Sequence, residues 1–281
     1  MNKILRKKIL ASNIKMFEID APLVAAKALP GQFVVLRVYE EGERIPLTIA
    51  EARPEEGVLV IVFQEVGKST FHLGTLNEGD EILDLIGPLG KPSEIERFGT
   101  VVCIGGGVGT PEMIPLAKAL KEAGNHVISI IGARCKELLI MEEEMRAVSS
   151  QLLITTDDGT YGKKGFVTEE LKRLIESGRK IDRVIAVGPV VMMRAVSRLT
   201  EPFKIPTIVS LNPIMLDATG MCGVCRCEIG GQTKFACVDG PEFDGHQVNF
   251  DLLLARQRNY LPEEKQALEM WRQTQIEAGG K

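Results

Sequence analysis

Residues Val101 to Pro111 read VVCIGGGVGTP. An apolar run that leads into glycines describes a buried strand delivering a tight turn, after which a helix opens. Glycine lets a backbone approach a pyrophosphate closely, and the free N–H groups of the following helix attract its negative charge. The stretch is not a G-x-G-x-x-G fingerprint, because Pro111 and Glu112 fall where the third glycine would be. On these residues alone a glycine-lined turn without a ligand stays open, so the flanking pattern has to decide.

Downstream, short apolar runs alternate with longer helical patterns. VVCIGG, PEMIPLAKALKEAG, HVISIIGAR and Leu138–Val148 are followed by QLLITT, FVTEELKRLIESG, RVIAVG and PVVMMRAVSRL. This alternation predicts a parallel, doubly wound, Rossmann-like α/β domain over 99–210. In such a sheet ligands collect at the carboxyl ends of the strands. The candidate nucleotide contacts are therefore Gly106, Gly107, Gly109 and Thr110 at the first strand end, Gly132 and Arg134 at the second, Asp157 and Asp158 at the third, and Gly188 and Pro189 at the fourth. Arg134 does not decide between NADH and NADPH. The aspartate pair suits ribose hydroxyls and a solvated turn equally.

Upstream the rhythm is different. Gly31–Tyr39 (GQFVVLRVY) and Gly57–Val66 (GVLVIVFQEV) are β-branched runs separated by Gly, Pro and Glu clusters. They predict a small antiparallel barrel over 1–98, with one short helix at Ser69–Leu76. Arg44–Ala50 reads RIPLTIA, which puts a cation and a hydroxyl a few residues apart on one strand: Arg44 can fork onto a diphosphate while Thr48 reaches the reactive edge of an isoalloxazine ring. Gly67, Lys68, Ser69 and Thr70 open the short helix and offer N–H groups and a cation to the same diphosphate. A P-loop is excluded, since Val62 stands where that motif needs glycine.

After Ser210 the α/β pattern breaks into a Gly- and Cys-rich segment over 211–281, closing on a polar, helix-favouring tail from Pro262 to Gly279. Four of the six cysteines, Cys222, Cys225, Cys227 and Cys237, fall within sixteen residues. In a reducing compartment such a cluster reads as metal ligation. Asp217, Cys222, Cys225 and Cys237 are separated by four, two and eleven residues, the plant-type [2Fe-2S] spacing with aspartate in the first position. Gly220, Gly223 and Gly230 suit a loop wrapped closely around an inorganic core. The competing reading is a zinc site using Cys222, Cys225, Cys227 and Cys237, or His246 in place of one of them. Cys225 and Cys227 make a poor zinc pair at that spacing, and with a cluster Cys227 becomes a bystander on CRCEI. Cys103 reads as a buried packing residue.

Composition bounds the rest. With 281 residues, 44% hydrophobic and 26% charged, the chain has material for two domains and an appendage. A net charge of -4 with scattered lysines and arginines supplies no field for a nucleic-acid backbone. No run approaches the ~20 apolar residues of a membrane span, and MNKILRKKIL lacks the apolar core of a signal peptide, so a cytoplasmic protein is expected.

The order of barrel, then nucleotide domain, resembles the ferredoxin-reductase-like flavoproteins, whose N-terminal barrel binds FAD and whose C-terminal domain binds the nicotinamide. RIPLT looks like a variant of that family's Arg-Pro-Leu-Ser strand, with one more residue between cation and hydroxyl. The resemblance implies FAD contacts at Arg44, Pro46, Leu47 and Thr48, along Val62, Phe63 and Gln64, and at Gly67 to Thr70. With the cysteine loop included, the chain resembles the electron-transfer subunits of class B dihydroorotate dehydrogenase, which carry cysteine where Asp217 stands. The aspartate variant is similar to the small-subunit family of NADH-dependent reduced ferredoxin:NADP oxidoreductase.

That resemblance implies FAD, a [2Fe-2S] cluster and NAD(H) as cofactors. It also implies a heterodimer with a larger subunit holding a second FAD and [4Fe-4S] clusters, through which electrons are exchanged with ferredoxin and NADP in electron bifurcation. No catalytic side chain is expected of this chain. The alternatives are a dihydroorotate dehydrogenase partner subunit feeding NAD, and a non-catalytic, zinc-stabilised nucleotide-binding module.

Overall fold

Residues 2–279 are described by a computed structural model. Six strands form the antiparallel N-terminal sheet: β1 (Ile4–Ala11), β2 (Ile14–Asp20), β3 (Phe33–Arg37), β4 (Ile45–Arg53), β5 (Val58–Gln64) and β6 (Asp84–Leu89). Their order is β1-β2-β5-β4-β3-β6. A bridge between Lys3 and Glu81, with Ile4 bonded to Gly79 and Asp80, brings the free edge of β1 against the segment entering β6. The expected barrel closes there. Helix α1 (Pro22–Ala25) packs on its wall and α2 (Lys68–Thr75) covers one end.

β5 shows why a barrel strand can be apolar throughout. Leu59, Ile61 and Phe63 point inward, and Phe63 meets Phe17 edge-on at 5.1 Å between ring centroids. Val58, Val60 and Val62 point outward, where Ile140 from the nucleotide domain covers them. The outer face of the barrel is thus part of the contact that fixes one domain on the other.

The second sheet contains β7 (Thr100–Gly106), β8 (His126–Ala133), β9 (Gln151–Thr156), β10 (Lys163–Lys164), β11 (Arg183–Val187) and β12 (Thr207–Ser210). The helices on its faces are α3 (Gly109–Glu122), α4 (Glu142–Val148), α5 (Val167–Glu176) and α6 (Val190–Thr200). These strands pair in parallel in the order β10-β9-β8-β7-β11-β12, the doubly wound arrangement read from the sequence. Register places Gly106 beside Gly132 and Gly105 beside Val187, so the glycine turn leaves the sheet at its centre.

The C-terminal segment forms a hairpin of β13 (Arg226–Ile229) and β14 (Gln232–Phe235), helix α7 (Ala236–Asp239), strand β15 (Glu242–Asp244), and helices α8 (Phe250–Gln257) and α9 (Leu261–Gly279). β15 adds antiparallel to β12 and covers what would be an open sheet edge. The segment after Ser210 is therefore woven into the nucleotide sheet, a connection its three polar-flanked residues did not announce. α9 runs back to the barrel, where Trp271 lies 6.2 Å from both the Phe71 and the His72 rings of α2.

Candidate functional site

A cleft of about 850 Å³ opens where the carboxyl ends of the parallel strands face the barrel. From β4 and β5 come Pro46, Leu47, Thr48 and Gln64. Opposite them stand Gly106, Gly107 and Gly109 where β7 turns into α3, Gly132 and Arg134 at the end of β8, Asp157 after β9, and Gly188 and Pro189 after β11. One crevice thus collects residues from both halves of the chain.

The glycines have separable reasons. Gly107 has φ +56° and an added Cβ would meet nothing within 4 Å, so this backbone faces the open cleft. At Gly109 a Cβ would fall 2.2 Å from the Val187 carbonyl oxygen, so this glycine lets α3 approach β11. An open, positive-φ turn at the start of α3 fits a pyrophosphate.

Other expected residues lie off the lining of the cleft. Arg44 is exposed just ahead of β4. The side chains of Val62 and Phe63 are buried in the two cores flanking β5. Gly67 to Thr70 open α2, where the Thr70 hydroxyl oxygen accepts from the Val66 and Gly67 N–H groups at 3.0 and 3.1 Å. Ser69 donates to Glu43, and the Lys68 ammonium lies 5.9 Å from the Tyr39 ring. Thr110 is buried beneath the turn. Asp158 turns back to Thr160, whose N–H and hydroxyl hold its carboxyl below the usual carboxylate range.

In the cysteine loop, Cys225 at the mouth of the β13–β14 hairpin and Cys237 on α7 are both buried, their Sγ atoms 3.1 Å apart. The Gly220 backbone N–H faces the Cys237 sulfur, and Cys222 is near enough to act on it electrostatically. Asp217 and Cys222 lie exposed on the preceding loop. Ala218 takes a left-handed φ of +56° there, a conformation that costs a non-glycine residue about 1 kcal/mol. Such a conformation persists where the surrounding structure holds it.

Two thiols side by side, with a third thiol and a carboxylate on the adjoining loop, fit a binuclear cluster, in which ligands come two to an iron. Among the described residues no three His, Cys, Asp or Glu side chains are grouped closely enough to hold a metal ion, which separates neither zinc nor a cluster from the other. His246 is instead bonded to the Thr200 hydroxyl at 2.9 Å. Cys227 is buried among apolar side chains of the core, its sulfur 3.6 Å from the Cys225 carbonyl oxygen.

A Thermotoga maritima protein named dihydroorotate dehydrogenase B (NAD(+)), electron transfer subunit homolog is 50% identical over 274 residues, covering 98% of this chain and 96% of its own length. The electron transfer subunit of dihydroorotate dehydrogenase B from Desulforamulus reducens is 34% identical over 88% of this chain and 96% of its own. The chain belongs to the dihydroorotate dehydrogenase B electron-transfer-subunit family. The iron-sulfur cluster binding domain of dihydroorotate dehydrogenase B matches residues 212–249, which hold all four predicted ligands. A chain of the solved NADH-dependent reduced ferredoxin-NADP oxidoreductase, a structure concerned with flavin-based electron bifurcation, superposes with a TM-score of 0.92 at 50% identity, covering 96% of this chain and 98% of its own.

This electron-transfer-family chain is thus an oxidoreductase subunit that works beside a larger partner. Family, fold and iron-sulfur domain agree with the expected cofactors, FAD, an iron-sulfur cluster and NAD(H). No helix among the described residues is long and apolar enough to cross a membrane.

Several lining residues escaped the sequence reading, two groups of them polar or close to the cluster segment. Asn212, Pro213 and Met215, at the start of the cluster segment, line the same cleft as Thr48. Nothing in their residue types signals it. Glu112, one turn into α3, also lines it. The sequence showed Glu112 only as a departure from a glycine fingerprint, although a carboxyl within the otherwise apolar PEMIP was a usable signal.

Proposed function

We propose that this chain passes electrons between NAD(H), FAD and a [2Fe-2S] cluster, and on to a larger flavoprotein subunit, in electron bifurcation between ferredoxin and NADP. One observation carries the reading: a single cleft is walled by the barrel strand bearing Thr48, by the glycine turns of the nucleotide sheet, and by Asn212 to Met215, which lead into the cysteine loop. The three functional units are 1–98, 99–210 and 211–281.

Bound FAD would exchange a hydride with the nicotinamide and single electrons with the cluster, linking two-electron to one-electron chemistry. The chain's own residues position these groups. Pro46, Leu47, Thr48 and Gln64 hold the flavin ring, while Arg44 and the start of α2 serve the diphosphate from outside the cleft. Gly107 and its neighbours take the nucleotide pyrophosphate, Arg134 a phosphate, and Asp157 a ribose. The apolar walls exclude water, which strengthens each polar contact made inside. Asp217, Cys222, Cys225 and Cys237 hold the cluster.

The larger partner would supply a second FAD and [4Fe-4S] clusters, since this chain has no C-x2-C-x2-C run for the latter. Asp217 in the first ligand position favours this reading over a partner subunit of NAD-dependent dihydroorotate dehydrogenase, which the relatives' names support. Both readings place the protein in the cytoplasm. Purification of the native complex tests the choice: a large subunit with flavin and [4Fe-4S] spectra supports bifurcation, and one that oxidises dihydroorotate overturns it.

A further inference from the structure

The chain leaves β6 through Gly90–Ser93, and this short stretch is bonded to the barrel on one side and to the cluster segment on the other. On the barrel side the Gln32 side-chain amide donates to the Gly90 carbonyl oxygen at 2.8 Å, and the Ser93 N–H donates to the Pro30 carbonyl oxygen at 2.9 Å. On the cluster side the Lys91 N–H donates to the Gly240 carbonyl oxygen at 2.7 Å, and the Ser93 hydroxyl donates to Oε1 of Glu242 at 2.6 Å. Gly31 stands at the same point with φ +82°, and a Cβ there would collide with the Ser93 hydroxyl and lie 3.2 Å from Glu242 Oε1. Of these contacts, Ser93 to Glu242 is the one made between two side chains. Both residues are half-buried, and a hydrogen bond to a carboxylate in such a place is stronger than one between neutral groups.

The stretch lies between the two proposed redox sites. Phe33 of the barrel and Pro241 of the cluster segment both line the cleft, and a Cβ at Gly90 would fall 2.8 Å from the Phe33 ring and 3.0 Å from the Pro241 ring. Glu242 begins β15, which pairs with β12. Just ahead of it, the Gly240 N–H donates to the Ala236 carbonyl oxygen at 3.2 Å, so the backbone next to Glu242 is tied to α7, the helix that carries Cys237. We propose that Ser93 and Glu242 form a clamp that sets the separation of flavin and cluster, with Glu242 as a positioning residue that touches neither. This rests on the reading that places the flavin against β4 and β5 and the cluster on Asp217 to Cys237.

The clamp separates the two transfers of that reading. Hydride exchange between nicotinamide and flavin takes place inside the cleft, between the barrel and the nucleotide sheet, and does not cross the clamp. Onward transfer moves one electron from reduced flavin to a ferric ion of the cluster, and its rate falls steeply as the two centres move apart. Losing the Ser93 to Glu242 bond leaves the donor, the acceptor and their ligands in place and loosens only their spacing.

The experiment compares the full, cofactor-loaded wild-type chain with Ser93→Ala, Glu242→Ala, the double variant and Glu242→Gln. Stopped-flow mixing with NADH times hydride entry, flash photoreduction of the flavin times onward transfer, and electron paramagnetic resonance reads the dipolar coupling between the reduced cluster and the singly reduced flavin. Ser93→Ala and Glu242→Ala should slow onward transfer at least about tenfold and weaken the coupling, with hydride entry and the cluster's own spectrum unchanged. The double variant should be no worse than either single one, as expected of two groups in one contact. Glu242→Gln, whose amide oxygen still accepts from Ser93, should keep most of the wild-type rate and coupling. Ser93→Ala removes a single oxygen atom and decides the matter even where Glu242→Ala fails to fold. Wild-type transfer and coupling in Ser93→Ala with both cofactors bound overturn the clamp and leave the flavin and cluster sites standing. Equal slowing of both transfers at unchanged coupling also overturns it, because the pair then serves the fold alone. A wild-type chain loaded with flavin and cluster that shows no coupling between them overturns the underlying reading together with the clamp.

Discussion

The Sγ atoms of Cys225 and Cys237 face one another at 3.1 Å although the two residues belong to different elements, the entrance to a hairpin and a short helix. Both are buried, with relative exposures of 2% and 1%. The pairing predicts that Cys225→Ser or Cys237→Ser abolishes the visible and electron paramagnetic resonance signals of the cluster while leaving bound flavin in place. Cys227→Ala, which removes a sulfur only from the core, should keep the cluster and lower stability by about 1 kcal/mol. Ultraviolet-visible spectra and thermal melts of the variants check both statements.

Asp217 lies exposed on the loop ahead of Cys222 and holds the first position of the proposed ligand series. Asp217→Cys should retain a [2Fe-2S] cluster with an altered electron paramagnetic resonance spectrum and midpoint potential, because an oxygen ligand is harder than sulfur. Asp217→Ala should lose the cluster or leave it labile. Cluster loss in Cys227→Ala together with an intact cluster in Asp217→Ala would make the ligand set all-cysteine.

Gly107 has φ +56° and faces open space, so a valine there is unfavourable in the backbone by about 1–2 kcal/mol and projects into the cleft. Gly107→Val should fold, bind flavin and be reduced by dithionite, while stopped-flow reduction by NADH slows at least about tenfold. Unchanged NADH kinetics in the folded variant would move the nicotinamide elsewhere.

Arg44, exposed beside the barrel, is assigned to the FAD diphosphate. Arg44→Ala should shed flavin on gel filtration and keep the cluster spectrum. Trp271, the chain's one tryptophan, packs on α2, the other candidate diphosphate contact, so FAD added to flavin-free protein should quench its fluorescence. The wild type should show the quench and Arg44→Ala should need more FAD to reach it.

Much of this architecture is legible in the chain because local pattern and tertiary role agree. The apolar runs at Val101 and Val184 are buried parallel strands, and the glycines after Ile104 turn where the sheet needs them. The cysteine spacing announces the cluster because ligand order is set by a short loop. Legibility ends where position depends on distant packing. Val62 and Phe63 sit beside Gln64 in sequence, yet two covered faces on β5 direct their side chains into cores and leave only Gln64 at the cleft. β15 has three residues and no apolar run, so its place on the sheet edge follows from the fold of the cluster segment alone. Glu112 reaches the cleft only because α3 opens at the carboxyl ends of the parallel strands.

The central claim is that one chain carries electrons from nicotinamide through flavin to the cluster. Anaerobic addition of NADH to the isolated, cofactor-loaded chain, followed by optical and low-temperature electron paramagnetic resonance spectroscopy, tests it most directly. The account predicts bleaching of the flavin and, with it, the signal of a reduced [2Fe-2S] cluster, the latter missing in Cys225→Ser. A colourless protein, or a flavin that NADH reduces while the cluster stays oxidised even when dithionite can reduce it, would contradict the account.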